Sequence, residues 1–198
     1  MQPSYNRFIE LKSCVLAHLA LLLEWYCHGA RDTGISYVDS TPIAVCHPKS
    51  KVFAGIAKIG KTTKGWLYGF KLHLIINEKG EIQSLQLTAG NVDDREPVLY
   101  LAKRLTGLLL GDKGYIKQEL FHESYEKEVK LITGIKKGMI NKLMLLFEKI
   151  LLRKRSIIET SFSVLKRYFE LEHTRHRSIW NVLYISSQLY SLIVLETY

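Results

Sequence analysis

The chain has 198 residues, of which 47% are hydrophobic and 24% are charged. This composition excludes a disordered chain and allows one domain with a full core and some appendage. The net charge of +9 and the pI near 9.4 indicate a polyanionic partner, either nucleic acid or an acidic membrane surface.

The cysteines and the apolar runs narrow the class further. Cys14, Cys27 and Cys46 form no CxxC pair, which predicts a reduced cytosolic protein without a zinc site. The apolar run at 14–23 is too short to span a bilayer, so we expect a packed helix there and no membrane segment.

The basic charge is concentrated in two segments. Six lysines occupy an acid-free stretch at 46–77, and eight Lys or Arg stand against three Glu at 149–177. The alternative is an ordinary solvated basic surface. Because both runs lie beside candidate metal ligands introduced below, we favour a groove for DNA phosphates.

Residues 1–30 show helical spacing of apolar side chains, and Gly29 ends the pattern. After it, residues 34–43 read as a strand of β-branched and aromatic residues that ends at Asp39, before Ser40, Thr41 and Pro42 break the pattern. Taken alone, Asp39 is either a turn-capping residue or a metal ligand.

Residues 46–66 predict a loop or a short ribbon. Within them, 55–62 fit GxxxxGK[ST] literally. That motif needs a buried strand before it and a helix after it, and neither pattern is present, so we interpret the match as chance.

The rest of the chain alternates strands and helices before it becomes helical. A hairpin is predicted at 67–88, with its turn at 78–81, and Asp93 and Asp94 introduce a helix that reaches about residue 105. The later elements are a strand at 108–111 that carries Asp112, a helix at 115–127, a strand at 129–135, and helices at 141–152, 156–171 and 179–195.

Three acids stand out in this pattern. Asp39 and Asp112 each end an apolar strand, and Glu159 lies on a basic helix. Carboxylate oxygens are the ligands that Mg²⁺ or Mn²⁺ prefers, and two such ions promote phosphoryl transfer. Arg155 and Lys166 share the helix face of Glu159, either as a solvated ion-pair network or as phosphate-binding cations.

At these residues the chain resembles a known family. YVDSTPI, GDKGY and IIETSFSVLKR resemble the DDE triad regions of bacterial insertion-sequence transposases, and Arg155, Glu159 and Lys166 match their R-x3-E-x6-K signature. The tyrosine that often precedes this arginine is replaced by Leu152. GFKLHLIIN, LTAGNVDDREP and EHTRHRS are similar to the insertion sequence 982 family, and the resemblance covers residues 4–178.

The resemblance implies an α/β, ribonuclease-H-like mixed sheet flanked by helices, with a helical C-terminal part. It implies DNA cleavage and strand transfer at insertion-sequence ends with two Mg²⁺ or Mn²⁺ ions, and it makes Asp39, Asp112 and Glu159 the catalytic residues and metal ligands. The implied partners are DNA and further copies of the chain in an active homo-oligomer, in the bacterial cytoplasm at the nucleoid. The implied DNA-binding residues are Arg155, Lys166, Lys113, Arg167, Arg175 and Arg177.

Members of this family usually carry a DNA-binding module before the catalytic domain. We therefore expect an N-terminally truncated chain, with a helix at 1–33 packed on a catalytic domain at 34–198, that binds DNA with little sequence preference. Two alternatives remain open: an inactive remnant that acts only as a basic DNA-binding protein, and a ribonuclease-H-like nuclease.

Overall fold

The computed structural model describes residues 4–45, 53–62, 65–135 and 144–169. Six strands form one sheet: β1 Ile35–Ala44, β2 Lys58–Thr62, β3 Gly65–Asn77, β4 Ile82–Ala89, β5 Gly107–Gly111 and β6 Val129–Thr133. The α-helices are α1 Tyr5–Gly29, α2 Val98–Leu101, α3 Gln118–Glu126, α4 Leu146–Arg153 and α5 Ser156–Phe169. Short 3₁₀ turns occupy Ala102–Arg104 and Lys113–Tyr115.

The sheet is mixed, with β1 at its centre. The strand order is β2-β3-β1-β5-β6. The remaining strand, β4, also pairs with β3. β1 runs antiparallel to β3 and parallel to β5, which in turn runs parallel to β6. With helices packed on the sheet, this topology confirms the expected ribonuclease-H-like α/β fold.

Apolar side chains cover both faces of the sheet. Because side chains alternate along a strand, Tyr37 and Val38 of β1 point to opposite faces and belong to different core clusters. The cluster around Tyr37 includes α4 and α5, which lie against β1, β5 and β6, while the cluster around Val38 includes α2 and α3. The carboxyl ends of β1 and β5 therefore lie between two packed layers.

The first strand is longer than predicted. It continues through Pro42 to Ala44, whereas the sequence suggested a stop at Asp39. β1 pairs with β5 only over Ile35–Tyr37, so its later part has one open edge. The Val45 amide donates to Tyr68 on β3, and by alternation the nitrogen of Pro42 faces the open edge, where the missing N–H breaks no ladder bond.

Other boundaries differ for local reasons. The predicted helix up to residue 105 is only one turn of α-helix, Val98–Leu101, followed by the 3₁₀ turn at Ala102–Arg104. The predicted helix at 115–127 starts three residues later, since Lys113–Tyr115 forms its own turn. The hairpin at 67–88 is confirmed as β3 and β4.

The structure also shows where the GxxxxGK[ST] match and the predicted first helix lie. Gly60, Lys61 and Thr62 lie in β2, which pairs antiparallel with β3, so the GxxxxGK[ST] match opens no helix. On α1, Leu23 and Cys27 pack against the core, but Leu11, Val15 and Leu22 are exposed, so the predicted apolar stripe is buried only in part. Among the residues with described coordinates, none forms a helix of the length and apolarity needed to cross a membrane. The predicted helix at 179–195 lies outside the described residues.

Candidate active site

The first acid of the site projects from the central strand. Asp39 lies opposite Leu74 in the β1–β3 ladder, on the same face as Tyr37 and Ile43. This face is covered by α5. The Asp39 side chain is 22% exposed, and its Oδ1 atom accepts a hydrogen bond of 2.8 Å from the Ser40 amide. Asp39 is thus a largely buried carboxylate whose orientation is set by its own backbone.

The second acid follows the neighbouring strand. Asp112 comes immediately after β5, which is hydrogen-bonded to β1. It caps the 3₁₀ turn Lys113–Tyr115, because its side chain accepts a hydrogen bond from the Gly114 amide. The two aspartates therefore lie on adjacent central strands, 73 residues apart in sequence.

The third acid reaches the same place from a helix. Glu159 lies in the first turn of α5, and Arg155 precedes that helix. One Arg155 nitrogen, Nη1, lies 3.3 Å from Asp39 Oδ2, while Nη2 lies 2.8 Å from Glu159 Oε1. A single guanidinium group therefore joins the strand carboxylate to the helix carboxylate, and Glu159 is the more exposed of the two acids at 57%.

The electrostatics of Asp39 show that both other acids act on it. The pKa of Asp39 is raised to about 6, mainly by burial; the Ser40 amide and Arg155 oppose the rise, and the negative charges of Asp112 and Glu159 add to it. Three carboxylates at one edge against one bridging cation leave an excess of negative charge. Such a site favours an additional cation.

The donor set fits a hard divalent ion. Three carboxylates supply only oxygen, which suits Mg²⁺ or Mn²⁺ and does not suit a soft metal. The three carboxylates would have to move closer together to bind one ion, because across the described ranges no three His, Cys, Asp or Glu side chains are close enough to hold one. Arg155 occupies oxygens of Asp39 and Glu159 that a metal would use.

Basic side chains lie around this edge. The aliphatic chain of Lys113 packs over Gly134, just beyond β6, so its ammonium group lies near the carboxyl ends of the parallel strands. Lys166 lies two helical turns after Glu159 on α5, and Arg167 is exposed beside it. The remaining predicted DNA-binding residues, Arg175 and Arg177, lie outside the described residues.

Tyr115 is a further neighbour of the site, and it is the last residue of the GDKGY motif. Tyr115 ends the turn that Asp112 caps, is 2% exposed, and packs with Val38 in the core. A buried tyrosine three residues after a strand-end aspartate is the signal within GDKGY that sequence reasoning left unused. The spacing of Arg155 and Glu159 likewise predicted their mutual contact but not the contact with Asp39.

Comparison with known proteins identifies the family of this chain. The sequence model for the family described as Transposase DDE domain matches residues 29–179, which include Asp39, Asp112 and Glu159. The chain belongs to this family of DDE transposases. A comparison with curated proteins found no match to this chain.

A solved structure is also similar to this transposase domain. It is a chain in the cryo-EM structure of the simian T-cell lymphotropic virus intasome in complex with the PP2A regulatory subunit B56 gamma. The two chains are 13% identical with a TM-score of 0.42, and the match covers 79% of the present chain. The transposase domain spans about half of that longer chain, 47% of its length.

Proposed function

We propose that this DDE transposase cleaves DNA at insertion-sequence ends and transfers the strands, and that it is of the insertion sequence 982 type. The observation that supports the reaction is the contact of Arg155 with both Asp39 and Glu159, together with the effect of the Asp112 charge on Asp39. The motifs GFKLHLIIN and LTAGNVDDREP support the narrower family.

Asp39, Asp112 and Glu159 are the proposed metal ligands. When bound, two Mg²⁺ or Mn²⁺ ions activate the attacking oxygen and stabilise the leaving 3′-oxygen of a phosphodiester. Asp39 contributes a carboxylate held by the Ser40 amide, and Asp112 one held by the Gly114 amide. Glu159 contributes the more exposed carboxylate from α5. The two aspartates are thus oriented before a ligand arrives, which lowers the cost of ordering them.

Basic groups around the acids are proposed to hold the DNA backbone. Lys113 packs over Gly134, Lys166 and Arg167 lie about two helical turns after Glu159 on α5, and Arg155 becomes available to phosphate once it leaves the carboxylates. Arg175 and Arg177 complete the proposed set through the basic motif EHTRHRS. These contacts fix the position of a duplex without reading its sequence.

The larger organisation belongs to the same proposal. Helix α1 contacts β4, and we propose that residues 1–33 are a helical appendage to a catalytic domain at residues 34–198. DNA and further copies of the chain are the proposed partners. We place the reaction in the bacterial cytoplasm, where the nucleoid DNA lies.

A strand-transfer assay with the DNA ends that flank the gene tests this function. The wild-type chain should join these ends to target DNA only when Mg²⁺ or Mn²⁺ is present, and Asp39→Asn, Asp112→Asn and Glu159→Gln should each abolish the product. Glu148→Gln is the matched control, because Glu148 is a buried acid of α4 that pairs with Lys130. No strand transfer by the folded wild-type chain would leave only a DNA-binding remnant, and cleavage without joining would indicate a nuclease.

A further inference from the structure

Tyr115 packs beside Gly111 and Val38, the residues that precede the two aspartates. A β-carbon added to Gly111 would come within 3.1 Å of Cδ2 of Tyr115 and 3.2 Å of Cγ1 of Val38. The Tyr115 ring therefore lies directly on the Gly111 backbone, beside Val38. Gly111 immediately precedes Asp112, and Val38 immediately precedes Asp39.

The ring belongs to the same core cluster as Val38 of β1. The pKa of Tyr115 is raised, and burial is the main cause. The negative charge of Asp39 adds to the rise, and the Ser40 side chain opposes it. No hydrogen bond of full geometry reaches the buried hydroxyl group from the described residues. The ring thus packs beside Gly111 on β5 and Val38 on β1.

The same residue is tied to Asp112 through the backbone. Asp112 caps the turn Lys113–Tyr115 by accepting from the Gly114 amide, and the Tyr115 amide donates to the Asp112 carbonyl oxygen at 3.2 Å. The direction of the Asp112 carboxylate and the position of the ring are consequently parts of one rigid turn. Moving the ring moves the turn relative to β1.

We propose that Tyr115 is a positioning residue that sets the separation of Asp39 and Asp112, acting as a spacer between Gly111 on one side and β1 on the other. This inference rests on the proposed function, since the separation matters only if both carboxylates serve one metal-dependent site. β1 and β5 share ladder pairs only over Ile35–Tyr37 of β1, so their ends beyond Tyr37 need another connection. The packed ring supplies it, and a side chain at position 111 would press on the ring, which would have to shift by a few tenths of an ångström.

The first test compares metal affinity across three variants. Mn²⁺ binding is followed by electron paramagnetic resonance on the full chain, and thermal unfolding reports stability. Tyr115→Leu should weaken Mn²⁺ binding by about tenfold, as loss of support around metal ligands commonly does, whereas Tyr115→Phe keeps the ring and should stay within about twofold of wild type. Leu101→Ala is the control, because Leu101 lies in the same core cluster on α2, and it should lower the melting temperature without weakening Mn²⁺ binding.

A double-mutant cycle gives a second readout that needs no metal. Gly111→Ala should lower stability more when Tyr115 is present than in the Tyr115→Leu background, since the added methyl group presses on the ring only in the first case. Additive effects, wild-type Mn²⁺ affinity in Tyr115→Leu, or an equal loss in Leu101→Ala would each overturn the positioning role while leaving the proposed function standing. If the wild-type chain itself binds no Mn²⁺, the proposed metal site and this inference fall together.

Discussion

Arg155 donates a hydrogen bond of 3.3 Å to Asp39, 116 residues earlier in the chain. Its other terminal nitrogen lies 2.8 Å from Glu159 on the same helix. The guanidinium group is 23% exposed and balances part of the charge of a site that holds three acids. It therefore holds Asp39 and Glu159 together in the absence of metal, and it competes with any metal for the same oxygens.

Replacing Arg155 separates these two effects. Arg155→Gln should lower the free energy of unfolding without metal by about 1–3 kcal/mol, because two charge-assisted hydrogen bonds are lost. The rise in melting temperature on adding Mg²⁺ should be larger in the variant than in wild type, since no cation has to be displaced. Arg153→Gln removes an exposed charge two residues away and serves as the control. Equal Mg²⁺-induced rises in wild type and Arg155→Gln would show that Arg155 does not compete.

The buried charge of Asp39 should destabilise the metal-free fold. Its pKa is raised to about 6, so the folded state binds this proton more tightly than the unfolded chain does. The free-energy cost of burying the ionised Asp39 is absent below about pH 4, grows up to about pH 6 and is constant above it. Asp39→Asn should therefore be more stable than wild type at pH 7.5, by on the order of 1–3 kcal/mol. Denaturant unfolding from pH 4 to pH 8 measures the difference, and a less stable variant at pH 7.5 contradicts the burial argument.

His73 should act in the opposite direction over the same pH range. It is 1% exposed, its Nε2 lies 2.8 Å from Thr88 Oγ1, and burial lowers its pKa to about 4. The unfolded chain then binds more protons than the folded one between about pH 4 and pH 6.5. Stability should fall on acidification through this range, by on the order of 3 kcal/mol from this residue.

The comparison with His73→Gln isolates that effect, because Asp39 contributes equally to both proteins. The variant should lose less stability than wild type between pH 6.5 and pH 4. Parallel stability curves for the two proteins would mean that folding does not lower the pKa of His73.

Much of this arrangement follows from the sequence, and the exceptions have physical causes. Asp112 follows β5 as the apolar pattern predicted, whereas Asp39 lies within β1, five residues before its end. The bridge from Arg155 to Asp39 depends on the packing of α5 on β1, which no local pattern encodes. The length of β1 was missed because Pro42 normally ends a strand, and only the sheet topology shows that its edge is open there.

The first helix shows the limit of periodicity. Its apolar spacing predicted a buried stripe, yet Leu11, Val15 and Leu22 remain exposed while Leu23 and Cys27 pack. Spacing identifies a helix and its apolar face, but it does not determine how much of that face finds a partner.

Glu148 offers a structural acid against which the triad can be compared. It is 8% exposed and accepts hydrogen bonds from Lys130 Nζ at 2.6 Å and from the Leu145 amide at 3.3 Å. Glu148→Gln should reduce stability by about 1–3 kcal/mol, since it weakens the link between α4 and β6. Mn²⁺ affinity should not change. A loss of Mn²⁺ affinity would place Glu148 in the metal site.

The basic edge should bind DNA through phosphate contacts. Lys166→Ala should weaken the binding of duplex DNA. It should also lower the slope of log K against log salt concentration by about one, because one phosphate contact is lost. Fluorescence anisotropy at several salt concentrations measures both quantities. Lys103→Ala removes an exposed charge from the 3₁₀ turn after α2 and is the matched control. Identical affinities and slopes in wild type and Lys166→Ala would remove Lys166 from the DNA surface.

A Mn²⁺ titration in the presence of duplex DNA, followed by electron paramagnetic resonance, tests most directly whether Asp39, Asp112 and Glu159 form one metal site. The wild-type chain should bind Mn²⁺ saturably. Asp39→Asn, Asp112→Asn and Glu159→Gln should each weaken that binding by at least about tenfold, while Glu148→Gln binds as wild type does. Wild-type Mn²⁺ affinity in all three triad variants would contradict the account.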